Sequence, residues 1–163
     1  MLALSTWART DAEYKLELPQ DPVRYLECVC TAKAEPSTRA WWENKLKMVF
    51  TCFSNPYWTS KAEKSVACGT AFFALGSAPP LMRIEHTFAA SATNVMYSNS
   101  RENMGFSTIP AGNMVIDLNK QTAAVGGASI MANYFVTGKF LVPRAGAQTI
   151  TGTGTVKFRE RWE

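Results

Sequence analysis

The C-terminal third of the chain, residues 113–162, alternates apolar and polar side chains with a period of two, and turn-forming residues interrupt the alternation. Met114, Ile116 and Leu118 share one face, and residues 119–125 are predicted to form a turn and a return strand. A period of two places successive side chains on opposite faces of a strand, whereas a helix repeats every ~3.6 residues. Short alternating segments between turns are typical of antiparallel sandwiches, so we expect a two-sheet fold here.

The same pattern extends towards the N-terminus, and it predicts a mainly β chain. Further strands are expected at 71–76, 81–88, 93–97 and 104–109, and their number and spacing fit a β-sandwich or jelly roll. Residues 61–70 are small and polar, so the boundary of the sandwich is placed there, and the sandwich is expected to cover 66–163.

The first 65 residues are predicted to form a smaller subdomain with a partial sheet. Leu2, Leu4 and Trp7 give residues 1–12 one apolar side, which favours a short helix. A strand is expected at 14–18, and residues 24–53 are expected to form a hairpin with a long connection. A turn is predicted at Asp21-Pro22 between these strands.

The four cysteines are predicted to be reduced and to pack as small apolar side chains. Cys28 and Cys30 fall on one face of a strand, where the geometry for a mutual disulfide is poor. Zinc sites use paired Cys or His ligands at characteristic spacings, and the chain has a single histidine. No metal site is therefore expected.

Composition and charge exclude several other classes. A hydrophobic fraction of 47% with 18% charged residues indicates a packed core rather than disorder. The net charge of +4 is scattered rather than clustered, so a nucleic-acid interface is not expected. No apolar run approaches the ~18–20 residues of a membrane span, and the N-terminus lacks the pattern of a signal peptide, so synthesis in the cytoplasm is expected.

No constellation of residues predicts an enzyme or a cofactor. His86 alternates with Ile84 and Phe88, which favours a core or interface position over a general base. Asp117 precedes a turn, and capping of that turn explains it. The run Thr-Gly-Thr-Gly-Thr at 151–155 leads into a strand rather than a helix, so it is interpreted as a flexible connection and not as a phosphate loop.

Four aromatic residues are candidate interface residues: Trp41, Trp42, Tyr57 and Trp58. Large rings anchor protein interfaces, and they also form the platforms on which lectins stack sugars. Core or interface packing is favoured over sugar binding.

A second candidate is the basic row Lys157, Arg159 and Arg161 on one face of the last strand. It is interpreted as a solvated row or as protection of an edge strand. The alternative is a contact with an acidic neighbour in an assembly.

The order of segments in the first half resembles the siphophage distal tail protein family. The resemblance is carried by Trp7 in the predicted helix, Leu16–Pro19, Asp21–Leu26, and the segment Val49–Trp58, which contains Phe-Thr-Cys-Phe-Ser-Asn-Pro-Tyr-Trp. These segments look like the second half of the family's N-terminal domain. A galectin-like sandwich follows in the family, and Pro79–Trp162 is similar to it.

The resemblance implies a partial ring-type domain at 1–65, apparently lacking the N-terminal part of the ring domain, and a galectin-like β-sandwich at 66–163. It implies a structural component of a phage or prophage tail tip or baseplate, located in the virion and made in the host bacterial cytoplasm. Its partners would be the tail tube, the hub and the receptor-binding protein, and a hexameric ring in the family implies a homo-oligomer. The alternative function is a carbohydrate-binding module for host-surface adhesion.

Overall fold

The computed structural model describes residues 13–31, 35–36, 46–47, 49–53, 56–135 and 139–163, and these fold almost entirely as antiparallel strands. The mainly β prediction is confirmed; the helix predicted at 1–12 lies outside the described residues. One short 3-10 turn occurs at Met131–Asn133. The strands are β1 Glu13–Leu18, β2 Asp21–Cys30, β3 Glu35–Pro36, β4 Leu46–Lys47, β5 Phe50–Thr51, β6 Trp58–Ser60, β7 Lys64–Ala67, β8 Ala71–Ala74, β9 Ala78–Phe88, β10 Ala92–Ser98, β11 Asn103–Ile109, β12 Gly112–Asp117, β13 Thr122–Val125, β14 Ala128–Ser129, β15 Tyr134–Phe135, β16 Gly146–Thr149 and β17 Thr155–Trp162.

The chain divides into two compact units. Unit 1 comprises Met1–Thr59 with Glu163, and unit 2 comprises Ser60–Trp162. The division precedes β7, so the predicted boundary after residue 65 falls within a strand of unit 2. The assignment of the ranges 1–65 and 66–163 to a ring-type domain and a galectin-like domain stays a prediction.

Unit 1 contains the hairpin β1–β2, with β5 on the other edge of β2. The connecting turn is Pro19-Gln20, so the turn predicted at Asp21-Pro22 is wrong: Asp21 already pairs with Leu18. Proline pre-sets the backbone angle of a turn's second residue, and Pro19 rather than Pro22 has this role. Cys28 and Cys30 are buried, as expected for small core side chains.

The first sheet of unit 2 has the order β7–β17–β9–β12–β13–β14. Its strands keep the predicted alternation. Met82 and Ile84 of β9 and Met114 and Ile116 of β12 are buried on one face. The predicted turn and return strand at 119–125 are confirmed by the β12–β13 hairpin. Asp117 caps this turn, because its Oδ1 accepts hydrogen bonds from the backbone N–H groups of residues 119 and 120, both at 3.0 Å.

The second layer of unit 2, named the second sheet, consists of a three-stranded part, β10–β11–β15, and a two-stranded part, β16–β8. β10 pairs with β11 and β11 with β15, while β16 pairs with β8. An antiparallel bridge between Ser98 and Thr151 joins the two parts, with backbone N–O distances of 2.8 and 3.2 Å. The inward side chains of this sheet include Tyr97, Met104 and Phe106, all buried.

The two sheets of unit 2 enclose one apolar core, which confirms the predicted sandwich. Phe72 of β8 contacts Phe158 of β17 across the core, with ring centroids 5.0 Å apart. Burial of apolar side chains from both layers is the main stabilising contribution in such a fold. The remaining core side chains come from both sheets and the connecting loops, among them Ile109, Leu118, Leu141, Ile150 and Val156.

Strand β9 begins at Ala78, before the Leu81 that the alternation predicts, and it therefore contains Pro79 and Pro80. Proline cannot donate to a strand ladder, which disfavours it in sheet interiors. The side chain of Asn119 compensates here: its Nδ2 donates to the Pro80 carbonyl at 3.0 Å, and its Oδ1 accepts from the Met82 N–H at 2.7 Å. One amide side chain thus satisfies the backbone where the prolines interrupt the ladder.

Candidate functional site

The structure places the predicted site residues in separate parts of the chain. Trp41 and Trp42 lie outside the described residues. Tyr57 and Trp58 are half-buried at the end of unit 1. The basic row lies on β17 of unit 2. The interface role of all seven residues stays a prediction.

The basic row belongs to an inner strand. β17 pairs with β7 on one edge and with β9 on the other over residues 155–158. The interpretation of the row as protection of an edge strand is therefore wrong. Alternation reports which side chains share a face, but it does not report how many neighbours the strand has.

The outer face of the first sheet carries a lattice of ion pairs, which we name the charged face: Glu63, Arg83, Glu85, Lys157 and Arg159. Lys157 Nζ lies 2.7 Å from Glu85 Oε2, and Arg83 contacts Glu85 at 2.6 Å and Glu63 at 2.7 Å. The Glu85 pKa is lowered, first by the Lys157 hydrogen bond and then by Arg83. Register explains the cluster, because Lys157 and Arg83 stand opposite each other on paired strands.

The remaining two basic side chains of the row also contact their own chain. Arg159 Nε lies 3.6 Å from Glu63, and its guanidinium donates to the Lys61 carbonyl. Arg161 donates to the Pro79 carbonyl. The row therefore serves intramolecular contacts, which leaves it less charge for an external acidic partner.

A shallow hollow of about 260 Å³ lies beside the charged face. Its lining is polar and consists of Glu85, His86, Thr87, Asn113, Gly154, Thr155 and Lys157. The lining contains no Trp, Tyr or Phe from the part of the chain that the structure describes. The His86 ring contacts Phe88 edge-on, with ring centroids 4.4 Å apart, but His86 is half-buried rather than in the core, and its predicted interface position stays a prediction.

The outer face of the second sheet is of the opposite character, and we name it the uncharged face. The five strands, as the structure describes them, contain no Asp, Glu, Lys or Arg. Three large apolar side chains are exposed on it: Phe73 at 60%, Leu75, which follows β8, at 52%, and Met96 at 39%. On the same outward side, Met96 and Phe135 cover Gly105, while Ala71, Ala147 and Thr149 are small or hydroxylated.

Buried contacts hold the end of β8 in place behind these exposed side chains. Glu160 is 5% exposed, and its Oε1 accepts from the Leu75 N–H at 2.9 Å and from Lys64 Nζ at 2.6 Å. Gly76 follows with a φ of 118°. Any other residue here would place its Cβ 2.1 Å from the Arg161 carbonyl oxygen, so the backbone approaches β17 too closely for a side chain. The backbone that presents Phe73 and Leu75 is thereby fixed to β17.

A second buried carboxylate ties two segments of this sheet together. Glu102, in the turn between β10 and β11, is 9% exposed and is bound by the guanidinium of Arg144 and, at 2.8 Å, by Asn99 Nδ2. The Arg144 hydrogen bonds are the main reason that the Glu102 pKa falls from 4.5 to about 2. The contact ties the β10–β11 hairpin to the segment that leads into β16.

This pKa predicts acid sensitivity of unit 2. The folded pKa lies below the unfolded value, so the stabilisation is present above pH ~4.5 and disappears as the pH falls towards 2. We expect Glu102→Gln to lower the free energy of unfolding by about 2 kcal/mol at pH 7, after discounting for the partial exposure of Arg144. Urea unfolding at pH 7, 4 and 2.5 measures it, and the difference from wild type should shrink with falling pH. The matched control is Glu13→Gln, at an exposed acid of unit 1. If the loss of unfolding free energy in Glu102→Gln did not depend on pH, the lowered pKa of Glu102 would not be the source of the stabilisation.

Sequence reasoning missed Phe73 and Leu75 as exposed residues, because an apolar pattern alone predicts burial. A signal was nevertheless present: no charged residue occurs between Lys64 and Arg83 or between Arg144 and Lys157. Solvated strands usually carry charges on their outer face. The lack of charge in these two segments is therefore the sequence signal for an uncharged surface on the strands they form.

The described residues show no cluster of side chains suited to a metal ion. No group of three or more His, Cys, Asp or Glu side chains is placed to hold a metal ion within this part of the chain. Nor does any helix there have the length and apolar character of a membrane span.

The fold is thus a two-layer antiparallel sandwich with one charged and one uncharged outer face, accompanied by a smaller unit built on a β-hairpin. A solved structure with this fold is the crystal structure of the SPP1 Dit (gp 19.1) protein, described as a paradigm of the hub adsorption apparatus in phages that infect Gram-positive bacteria. The TM-score is 0.78 at 15% sequence identity, and the match covers 99% of this chain and 70% of that chain. No family model matches the sequence, and no curated protein matches it.

Proposed function

We propose that this protein is a structural component of a phage tail tip, an adaptor between the tail tube and the hub or receptor-binding parts. The observation that carries the proposal is the likeness to the SPP1 Dit structure, which extends over 99% of the chain and so includes both units. A likeness confined to the sandwich would be weaker support, because sandwiches serve many functions.

The surfaces of unit 2 agree with an adaptor. Its two outer faces differ in charge, which suits contacts with two chemically different neighbours. Buried contacts at Glu160 and Glu102 fix the strands that present the uncharged face, and preorganised surfaces lose less entropy on binding. We also propose that unit 1 supplies the ring-type contacts of a homo-oligomer, which would be cyclic and heterologous.

Removal of the gene tests the proposal. We expect an in-frame deletion in the phage or prophage that encodes this chain to abolish plaque formation and to yield tails without a complete tip in negative-stain micrographs. Expression of the wild-type chain from a plasmid should restore both. Infectious particles of normal shape from the deletion strain would contradict the proposal.

A carbohydrate-binding module is the alternative, and the polar hollow beside the charged face is the observation in its favour. Its hydroxyl, amide and charged side chains could bind sugar hydroxyls, but the hollow lacks the aromatic platform that lectins use. Calorimetric titration with host-wall glycans tests this function. Binding that Asn113→Ala abolishes would favour the lectin, whereas the adaptor proposal predicts no heat of binding.

A further inference from the structure

We propose that Cys28 and Cys52 of unit 1 form a site for a cross-strand disulfide, which a small-molecule disulfide oxidant closes between β2 and the end of β5. The proposal is based on strand register and side-chain burial, and it does not depend on the tail-tip function. In a reducing cytoplasm the two side chains are thiols, as the sequence predicts, and the bond forms when the chain meets an oxidising medium.

The register of β2 and β5 places the two cysteines opposite each other. The strands pair antiparallel with Val29 opposite Thr51, and one step further along both strands the same register places Cys28 opposite Cys52. The strands are still close at this end, because Thr51 Oγ1 lies 2.9 Å from Thr31 Oγ1 on the other face of the pair. Opposite residues of an antiparallel pair share one face, so both thiols lie on the same side.

The hydrogen-bond pattern gives the separation of the two cysteines. The Thr31 N–H donates to the Val49 carbonyl at 2.9 Å, which makes these two residues a hydrogen-bonded pair. Hydrogen-bonded and non-hydrogen-bonded pairs alternate along the ladder, so Cys28 and Cys52, three steps away, are a non-hydrogen-bonded pair. The Cα atoms of such a pair are about 4.5 Å apart, within the range of about 4.4–6.8 Å that is usual for disulfides.

The same geometry selects Cys52 rather than Cys30 as the partner of Cys28. Cys28 and Cys30 are two residues apart on one strand and are therefore separated by about 6.8 Å, whereas the Cβ atoms of a disulfide are about 3.8 Å apart. Cys30 and Cys52 are diagonal neighbours, at about 7–8 Å. Electrostatic effects agree with this order: burial raises the pKa of the Cys28 thiol most, and Cys52 raises it further, by more than Cys30 does.

Exposure assigns the order of the two chemical steps. Cys52 is half-buried, whereas Cys28 is 2% exposed and its Sγ donates a weak hydrogen bond to the Tyr14 carbonyl at 3.8 Å. The Cys52 thiolate therefore attacks one sulfur of the oxidant first, which forms a mixed disulfide and releases one thiolate. The Cys28 side chain then turns from Tyr14 to Cys52, its thiolate attacks the Cys52 sulfur, and the second thiolate leaves. The two protein thiols lose two electrons and two protons, and the oxidant takes up both to become two thiols.

The bond fastens a short strand. Because β5 is two residues long, its ladder to β2 contains few hydrogen bonds. A disulfide restricts the unfolded chain between positions 28 and 52 and thereby stabilises the folded unit. We expect limited proteolysis within unit 1 to be about tenfold slower, or more, in the oxidised chain than in the reduced chain.

Oxidation of the purified full-length chain with glutathione disulfide tests the proposal. The folded, reduced chain is incubated at a series of ratios of glutathione disulfide to glutathione, the remaining thiols are blocked with N-ethylmaleimide, and unreduced tryptic peptides are identified by mass spectrometry. We expect a product in which peptide 25–33 is linked to peptide 48–61, and fragmentation should assign the bond to Cys28 and Cys52. The linked product should come from the monomer band of a non-reducing gel.

Variants identify the two partners. Cys28→Ala and Cys52→Ala should each abolish the linked product, and Cys28→Ala should instead accumulate glutathione on Cys52. Cys30→Ala is the matched control, because Cys30 is also buried on β2, and its yield of the linked product should equal that of wild type. Circular dichroism of the reduced variants confirms that they are folded.

The wild-type chain decides the proposal without any variant. If it gives no linked product even in glutathione disulfide alone, or gives it only after unfolding in urea, the proposal is overturned. A bond that fragmentation assigns to Cys30 would overturn it as well.

Discussion

Replacement of Phe158 by alanine is expected to lower the free energy of unfolding of unit 2 by about 3–5 kcal/mol. Phe158 is 2% exposed on the inward face of β17, and its ring contacts Phe72 of the opposite sheet. Removal of the ring both forfeits buried apolar surface and leaves a cavity between the two layers. Urea unfolding, with hydrogen exchange followed by mass spectrometry on unit 2 peptides, measures the loss.

Phe73→Ala is the matched control for this variant. Phe73 adjoins Phe72 in the sequence but is 60% exposed on the other side of β8, so its loss should change stability by less than about 0.5 kcal/mol at low protein concentration. Equal destabilisation by the two variants would contradict the assignment of inward and outward faces. Unchanged stability of Phe158→Ala would contradict the sandwich core.

Replacement of Gly154 by alanine is expected to destabilise unit 2 by about 2–5 kcal/mol. Gly154 has a φ of 106°, and a Cβ there would meet the Glu85 carbonyl oxygen at 2.4 Å and His86 Cβ at 2.8 Å. Both obstacles belong to the middle strand β9, whose backbone is fixed by ladders on both edges. Thermal and urea unfolding measure the effect.

Gly69→Ala separates the clash from the backbone conformation. Gly69 also has a positive φ, 86°, but nothing lies within 4 Å of a Cβ at that position. Gly69→Ala should therefore lower the free energy of unfolding by only ~1–2 kcal/mol, the cost of a left-handed backbone conformation for alanine. If Gly154→Ala were no more destabilising than Gly69→Ala, the close approach of the 151–155 segment to β9 would be wrong.

Much of the sandwich follows from local sequence pattern. Alternation predicted the buried faces of β9 and β12, and turn-forming residues predicted the β12–β13 hairpin, because these features depend on neighbours along the chain. The Gly-Thr run at 151–155 shows what local pattern does not predict. Its glycines indicated flexibility, whereas glycine is required at position 154 because β9, far away in the sequence, leaves no room for a side chain. Likewise, the partners of the backbone at Pro79 and Pro80 are Arg161 and Asn119, which lie far away in the sequence.

The candidate surfaces were less accessible to sequence reasoning. The spacing of Lys157 and Arg159 indicated a shared face, but the acids that bind them, Glu85 and Glu63, come from other segments. Strand position within a sheet is set by long-range pairing, which no local pattern records. The exposure of Phe73 depends likewise on which layer covers β8, and the absence of nearby charge was its only sequence signal.

As a proposed part of a phage tail tip, this chain should be found at the end of the tail in intact virions. Immunogold labelling of purified virions of the phage that encodes it, with antibodies raised against the chain, tests this most directly. We expect gold at the end of the tail distal to the capsid and at no other position, and no gold with preimmune serum. Gold on the capsid or along the whole tail, or the absence of label from intact particles in which mass spectrometry detects the chain, would contradict it.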